Sequence, residues 1–517
     1  MRRAAQALCV TVGVVITSAA LVGVPATQAP IPDAQTRAVQ LTGGDAAESG
    51  LGDGVALVMG GSGIPLPPQR YADAADALYL QPLGFTGSAQ PLFTPAGFYP
   101  TTGVNSLTVD ASIAQGAQIL SNAVLDQIAR GEVDAANPVV VFGYSQSSAL
   151  STLTMQQLHE QGVPSDYVHF VLVGDTAAAN GGMLERFDVP ADTNPAVPSF
   201  GITFGGGTPD DLYPTDVYTL EYDGFADFPR YPLNLLADLN AFAGMIFQHL
   251  TYLTLGPEQI ESAQLLETTG DSLTNYYMIP VENLPLLDPL RLIPVLGNPL
   301  ADLLQPALRV LVNLGYGSIT DGWSQGPANV PTPFELFPTN LDWNDVYTAL
   351  VNGVQEGVEA AINDLANPEN YQITPILDNP VLAPLVEAAY ISGLTDTLQP
   401  TLEELSQALL GSNSFPITDA TLSSPPIDII NALTATFSAD YAALLPLADM
   451  VTALTTTLPA YNTGIFLDRL EAGDLLGAIG DPIAADTALV PFAIALGTSQ
   501  IGSAIQGTLL NLMTLFS

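Results

Sequence analysis

Lysine is absent from all 517 residues: the ten basic side chains are arginines, they face 52 Asp and Glu, and the formal net charge is −42. A chain this poor in cations cannot neutralise a phosphate backbone by counterion release, which excludes nucleic acid as a partner. A phosphate-cradling loop of the G-x-x-x-x-G-K-[ST] type is excluded as well, because there is no lysine to complete it. The acidity itself reads as a solvated surface that keeps the protein soluble. The single cysteine, Cys9, lies close to the N-terminus, so disulfides and thiol catalysis are excluded by count. Histidine is almost as scarce. His159, His169 and His249 are scattered, which supports no metal-ligand cluster, and no cofactor is expected.

Apolar residues make up 48% of the chain and charged residues 12%, a composition that buries a large core. The first 26 residues read as a secretory signal. Arg2 and Arg3 form a positive start, Ala4 to Val24 an apolar stretch, and Val24-Pro25-Ala26 or Thr27-Gln28-Ala29 a small-residue cleavage site. Export follows, with an uncleaved anchor as the second reading, since the apolar stretch approaches the length of a membrane span. Residues 27–50 are small and polar without periodicity and read as a linker.

From Gly54 onward, apolar runs alternate with helical spacing. Val55 to Met59 is a strand that breaks into Gly60-Gly61-Ser62-Gly63. Ile113, Ala117, Leu120, Val124 and Ile128 then repeat at helical intervals, and Pro138 to Phe142 is a second apolar strand. Further strands are expected at Tyr167 to Gly174 and Val217 to Tyr222. Uninterrupted apolar strands separated by helices indicate an α/β fold with a mostly parallel sheet covered on both faces. Beyond residue 345, leucine, alanine and threonine recur at helical spacing, as in Val346 to Leu365 and Leu402 to Leu410. Residues 346–517 are therefore expected to be largely helical. The last 31 residues, Thr487 to Ser517, carry no charge but are interrupted by Gln500, Gln506 and Asn511. Core or interface helices are expected there rather than a membrane span.

The strongest chemical signal is Gly143-Tyr144-Ser145-Gln146-Ser147, a G-x-S-x-S sequence between a strand and a helix. A nucleophilic serine on such a turn needs small neighbours, because its backbone is strained. Its hydroxyl also needs a base, usually histidine, held in one tautomer by a carboxylate. His159 falls on the helix directly after the turn and His169 inside the next strand, leaving His249 as the base. The acid is expected just after the strand that ends at Tyr222, where Asp227 is the first choice and Asp223 the alternative; Gly224 makes Asp223 equally readable as a turn residue. The oxyanion donors are expected to be the backbone amides of Gln146 and Ser62, the latter in the glycine-rich loop.

With these landmarks the sequence resembles the PE-PPE domain family of mycobacteria and related actinobacteria, serine hydrolases of the α/β-hydrolase fold similar to cutinases. The resemblance covers about residues 51–345. It rests on the Gly60 to Gly63 loop followed by Pro65, the Ser145 turn, Val173-Gly174-Asp175, Tyr222-Asp223-Gly224, Ala226-Asp227-Phe228-Pro229 and His249. Downstream it continues through Asp288-Pro289-Leu290-Arg291, Asn298-Pro299-Leu300, Leu314-Gly315-Tyr316-Gly317 and Pro331-Thr332-Pro333. It implies a triad of Ser145, an aspartate and His249, and esterase activity on short to medium acyl chains. Relatives that move fatty acyl groups between trehalose glycolipids imply acyl transfer as the alternative. In place of the Pro-Glu or Pro-Pro-Glu module that precedes such domains, this sequence has its signal-like segment. The expectation is thus an exported serine esterase with an ester or lipid substrate, either secreted or associated with the cell envelope or a membrane surface. The rival from another class is a non-catalytic envelope-binding protein that retains the fold.

Overall fold

The computed structural model describes residues 50–367, 379–394 and 426–513. The expected signal, nearly all of the expected linker and the helical pattern at Leu402 to Leu410 lie outside the described residues. Seven strands form one sheet in the order β2-β1-β3-β4-β7-β9-β8. They are β1 (Val55–Val58), β2 (Ser88–Pro91), β3 (Val139–Tyr144), β4 (Val168–Val173), β7 (Thr215–Leu220), β8 (Gln264–Leu265) and β9 (Thr274–Ile279). All pair in parallel except β8, which runs antiparallel to β9 at the edge. A separate hairpin joins β5 (Ala196–Val197) to β6 (Ile202–Thr203).

Two-residue periodicity divides the strand side chains between two cores. Val58, Val140, Phe142, Val171 and Val173 face one side, against Tyr71, Ala72 and Ala75 of α1 (Gln69–Ala75) and against Tyr252. Leu57, Val139, Val141, Phe170 and Leu172 face the other. There they meet Leu120 and Val124 of α2 (Val109–Ala129) and Leu150, Met155 and Leu158 of α3 (Gln146–Glu160). Burial on both faces is why these strands are unbroken apolar runs, each fully buried side chain contributing about 1.5–3 kcal/mol. Five strands escaped sequence reasoning: β2, β9 and the two-residue strands β5, β6 and β8. β2 is a half-exposed edge strand that tolerates Pro91, and β9 begins with Thr274 and Asn275.

The chain leaves β1 toward β2 on one side and returns to β3 on the other, so the sheet order reverses between β1 and β3. In open parallel sheets the crevice beyond the carboxyl ends of such strands is where ligands bind. Here that crevice brings together the Gly60 to Gly63 loop and the Ser145 turn.

Beyond the sheet, α4 (Leu235–Phe247) leads to His249, and α5 (Gly297–Asn313) pairs with α6 (Trp343–Ala366). Gly353 and Gly357 permit this pairing, because a Cβ on Gly357 would lie 2.1 Å from the Leu303 carbonyl oxygen. The outer face of α6 exposes Trp343, Tyr347, Val354, Val358 and Ile362. Three further helices, α7 (Pro426–Thr452), α8 (Leu458–Glu471) and α9 (Leu475–Met513), pack together and onto the sheet unit. Ala484, Ala485, Ala488, Leu489, Ala493 and Leu496 of α9 share a core with Phe187, Phe200, Phe204, Phe228 and Phe334. Tyr461 donates to the Phe187 carbonyl and Thr487 to the Pro232 carbonyl. The stretches Leu433–Glu471 and Leu475–Gly502 are long and apolar enough to cross a membrane by length and composition, a test that helices shared with a soluble core also pass.

Candidate active site

Ser145 joins β3 to α3 with φ 59° and ψ −119°, a conformation that non-glycine residues rarely adopt. Its neighbours make the turn possible. A Cβ at Gly143 would lie 2.8 Å from the Ser147 carbonyl oxygen. Ser147, where many such turns have glycine, turns its hydroxyl inward to accept from the Tyr144 amide at 2.7 Å and donate to the Tyr144 carbonyl at 3.0 Å. The fifth position of the motif is thus a brace within the turn.

The Ser145 hydroxyl lies 2.8 Å from His249 Nε2, and His249 Nδ1 lies 2.7 Å from Asp223 Oδ2. His249 is 4% exposed and Asp223 fully buried. The turn that carries the histidine is fixed by its surroundings. Tyr144 donates its hydroxyl to the His249 carbonyl, and Phe225 packs its ring 4.7 Å from the imidazole. Gly174, at φ 57°, has no side chain where a Cβ would come 3.1 Å from His249 Cε1. Next to it, the buried Asp175 accepts from the Ala177 amide and the Thr208 hydroxyl, and burial pushes its pKa up to about 6.

The carboxylate against His249 is Asp223, which corrects the preference for Asp227. After β7 the chain turns at Tyr222, φ 65°, and both the Ala226 and Asp227 amides bond back to the Asp223 carbonyl. That closed turn presents Asp223 to the histidine and folds Asp227 beneath it. Asp227 Oδ2 accepts from the Tyr222 amide at 3.0 Å, and Oδ1 is buried without a partner. Burial drives its pKa well above the usual carboxylate range, offset in part by the Tyr222 amide and by Arg186. Arg186, itself buried, is held by the Phe228 carbonyl, by Thr332 and by the Ser324 hydroxyl.

Tyr252 was missed in the sequence. Its hydroxyl donates to Asp223 Oδ2 at 2.8 Å and accepts from the Leu220 amide at 2.8 Å. The only signal for it was its place three residues after His249. The other two histidines stand apart: His159 ends α3, and His169 pairs with Asp216 at 2.7 Å, near the opposite ends of the strands.

Gln146 opens α3, so its backbone N–H has no acceptor within the helix. Its side chain is clamped between the Ser112 hydroxyl at 2.8 Å and the Gly97 carbonyl at 2.6 Å, which fixes that amide. Across the crevice, a Cβ on Gly61 would lie 3.4 Å from Ser145 Cβ. Ser62 follows in the same loop, half-buried, in a turn closed by the Ile64 amide on the Gly61 carbonyl. Among the described residues, no three His, Cys, Asp or Glu side chains are grouped to hold a metal ion.

A sequence profile described as the PE-PPE domain matches residues 86–317, a span that contains Ser145, Asp223, His249 and Tyr252. The chain belongs to the PE-PPE domain family. It is 42% identical over 457 residues to the PPE family protein PPE28 of Mycobacterium tuberculosis, covering 86% of this chain and 64% of that protein. With esterase PE16 of the same organism it shares 44% identity over 304 residues, 57% of this chain and 54% of that one. A more distant relative, the diacyltrehalose acyltransferase Chp2, is 27% identical over 294 residues, 53% of this chain and 77% of Chp2. The chain thus spans between about half and two thirds of the length of PPE28 and PE16. The PE-PPE match begins after β1 and its glycine loop and ends before α6, so α7 to α9 lie outside it.

Proposed function

We propose that this PE-PPE protein is an exported serine esterase that cleaves lipid esters through Ser145, His249 and Asp223. The observation that carries the reading is the relay from Ser145 Oγ to His249 Nε2 at 2.8 Å and from His249 Nδ1 to Asp223 at 2.7 Å. Asp223 holds the imidazole with its proton on Nδ1, leaving Nε2 to take the proton of Ser145 as Oγ attacks the acyl carbonyl. The amides of Gln146 and Ser62 donate to the oxyanion that forms, and each such donor is worth about 10²–10³ in kcat. Collapse releases the alcohol, which takes its proton from His249, and leaves an acyl-enzyme that water resolves. Export rests on the signal-like N-terminus, and the catalytic unit is taken as residues 51–345. A site that had lost its chemistry would have no need to hold Ser145 in a backbone conformation costing about 1–3 kcal/mol.

The likeness to Chp2 favours one variation, in which a sugar hydroxyl replaces water as the acceptor. The test compares the protein with its Ser145→Ala variant on p-nitrophenyl esters of increasing chain length, with and without trehalose. Activity that vanishes in the variant supports the esterase, and diversion of acyl groups to trehalose supports the transferase. Equal inertness of both proteins, with no labelling of Ser145 by a phosphonate, would leave the binding-protein reading standing.

A further inference from the structure

Both ends of the Gln146 side-chain amide are engaged, and neither bond serves the helix that Gln146 opens. Nε2 donates to the Gly97 carbonyl at 2.6 Å, and Oε1 accepts from the Ser112 hydroxyl at 2.8 Å. That hydroxyl in turn accepts from the Gly97 amide at 2.9 Å, so the three residues close a ring of hydrogen bonds. All three are buried, which keeps water from competing for these bonds. Gly97 approaches the chain so closely that a Cβ there would lie 2.8 Å from the Leu107 carbonyl oxygen.

From Gly97 the connection continues to the glycine-rich loop. The Ala96 carbonyl accepts from the Gly63 amide at 2.7 Å, and the Thr94 amide donates to the Pro65 carbonyl at 2.9 Å. Ser62 is the residue before Gly63. Two hydrogen bonds, Gln146 to Gly97 and Gly63 to Ala96, therefore link the residue that supplies one oxyanion donor to the neighbour of the residue that supplies the other. The outer side of the same segment is fixed by helices that lie outside the PE-PPE match. Tyr99 donates to Asp449 of α7, and Gln500 of α9 donates to the Pro100 carbonyl at 2.6 Å. A segment held on both sides transmits position between its neighbours, as a loose one would not.

We propose that the Gln146 side chain is a positioning residue for the oxyanion hole: through residues 94–97 it sets the distance between its own backbone amide and that of Ser62. The proposal rests on the esterase reading above. An oxyanion hole is effective because its donors are already in place when charge develops on the acyl oxygen. Slack between two donors on different loops thus weakens transition-state binding and leaves ground-state binding nearly untouched.

The test compares wild type, Gln146→Ala and Ser112→Ala on p-nitrophenyl acetate and on its thionoester, in which C=S replaces C=O. Sulfur is a weak hydrogen-bond acceptor, so the thionoester draws less on the two amides. Gln146→Ala keeps the backbone donor and removes both side-chain bonds. Its kcat on the acetate is expected to fall at least about tenfold with KM nearly unchanged, while the thionoester loses much less, so that the preference for the oxygen ester narrows by about tenfold. Ser112→Ala opens the ring but leaves the bond from Gln146 to the Gly97 carbonyl, and should narrow the preference in the same direction by a smaller factor. If Gln146→Ala gives no cooperative urea transition, Ser112→Ala alone decides. Equal losses on both esters would mark general damage to the fold and overturn the proposal, as would an oxygen preference that survives both substitutions in an active enzyme. Wild-type protein that hydrolyses neither ester is a different outcome, which overturns the esterase reading and this proposal with it.

Discussion

Tyr252 and His249 share one oxygen of Asp223: the phenol donates to Oδ2 at 2.8 Å and the imidazole faces it at 2.7 Å. The same phenol accepts from the Leu220 amide at the end of β7, so the Asp223 carboxylate is tied to the sheet through Tyr252 as well as through its own backbone. A hydrogen bond that steadies the aspartate also limits how far the carboxylate can turn from the histidine.

Tyr252→Phe removes that bond and leaves the Leu220 amide without its acceptor. In steady-state kinetics on a short ester, kcat is expected to fall about tenfold, equivalent to about 1.4 kcal/mol, with KM nearly unchanged. A change confined to KM would show that Tyr252 serves substrate binding instead.

The two aspartates separate cleanly by substitution. Asp223→Asn leaves His249 in the wrong tautomer and is expected to lower kcat about 10⁴-fold. Asp227→Asn removes a buried carboxyl that already resists ionisation and touches the Tyr222 amide rather than the histidine. Its kcat is expected to stay within about tenfold of wild type. If Asp227→Asn proves the more damaging of the two, the assignment of the acid to Asp223 fails.

The contrast between these aspartates shows how far the sequence could be read. β1, β3 and β4 were legible because burial on both faces demands unbroken apolar runs, whereas β7, interrupted by Asp216 and Thr219, starts and ends two residues before the expected span Val217 to Tyr222; the Ser145 turn was legible because Gly143 and its place between strand and helix are local features. Choosing the acid was not a local problem. It depends on the left-handed turn at Tyr222 and on Gly224 and Gly244, where a Cβ would collide with the Ala241 and Tyr222 carbonyls, respectively. The docking of α9 was hidden for a similar reason, since its alanine-rich buried face has the spacing of any amphipathic helix and does not name the surface it will meet.

Ser147→Ala tests the brace inside the turn. The Tyr144 amide would lose the acceptor now at 2.7 Å in a fully buried position. An unsatisfied buried donor costs about 1–3 kcal/mol, which should appear as a lower urea midpoint with an unchanged slope. Ester hydrolysis should fall as well, because the same turn sets the backbone of Ser145. A variant as stable as wild type would mean that the hydroxyl is not needed there.

Asp238, in the first turn of α4, is almost completely buried, and neither carboxylate oxygen has a hydrogen-bond partner. Burial raises its pKa to about 8, whereas in the unfolded chain it ionises near about 4. Between those values the unfolded state has released a proton that the folded state keeps, so this residue makes stability fall as pH rises through the window. Below about pH 4 the two states hold the proton alike and the penalty vanishes. Asp238→Asn cannot ionise and should escape the decline. Whatever offset the buried amide introduces at about pH 5, the difference in urea midpoint should move in favour of the variant by about pH 8. Glu185 and Asp288, both raised to about 7 by burial, tilt both proteins in the same way and cancel from the comparison. Midpoints that stay parallel across this range would show that Asp238 is ionised in the folded protein, with its charge met by a group that the helix does not supply.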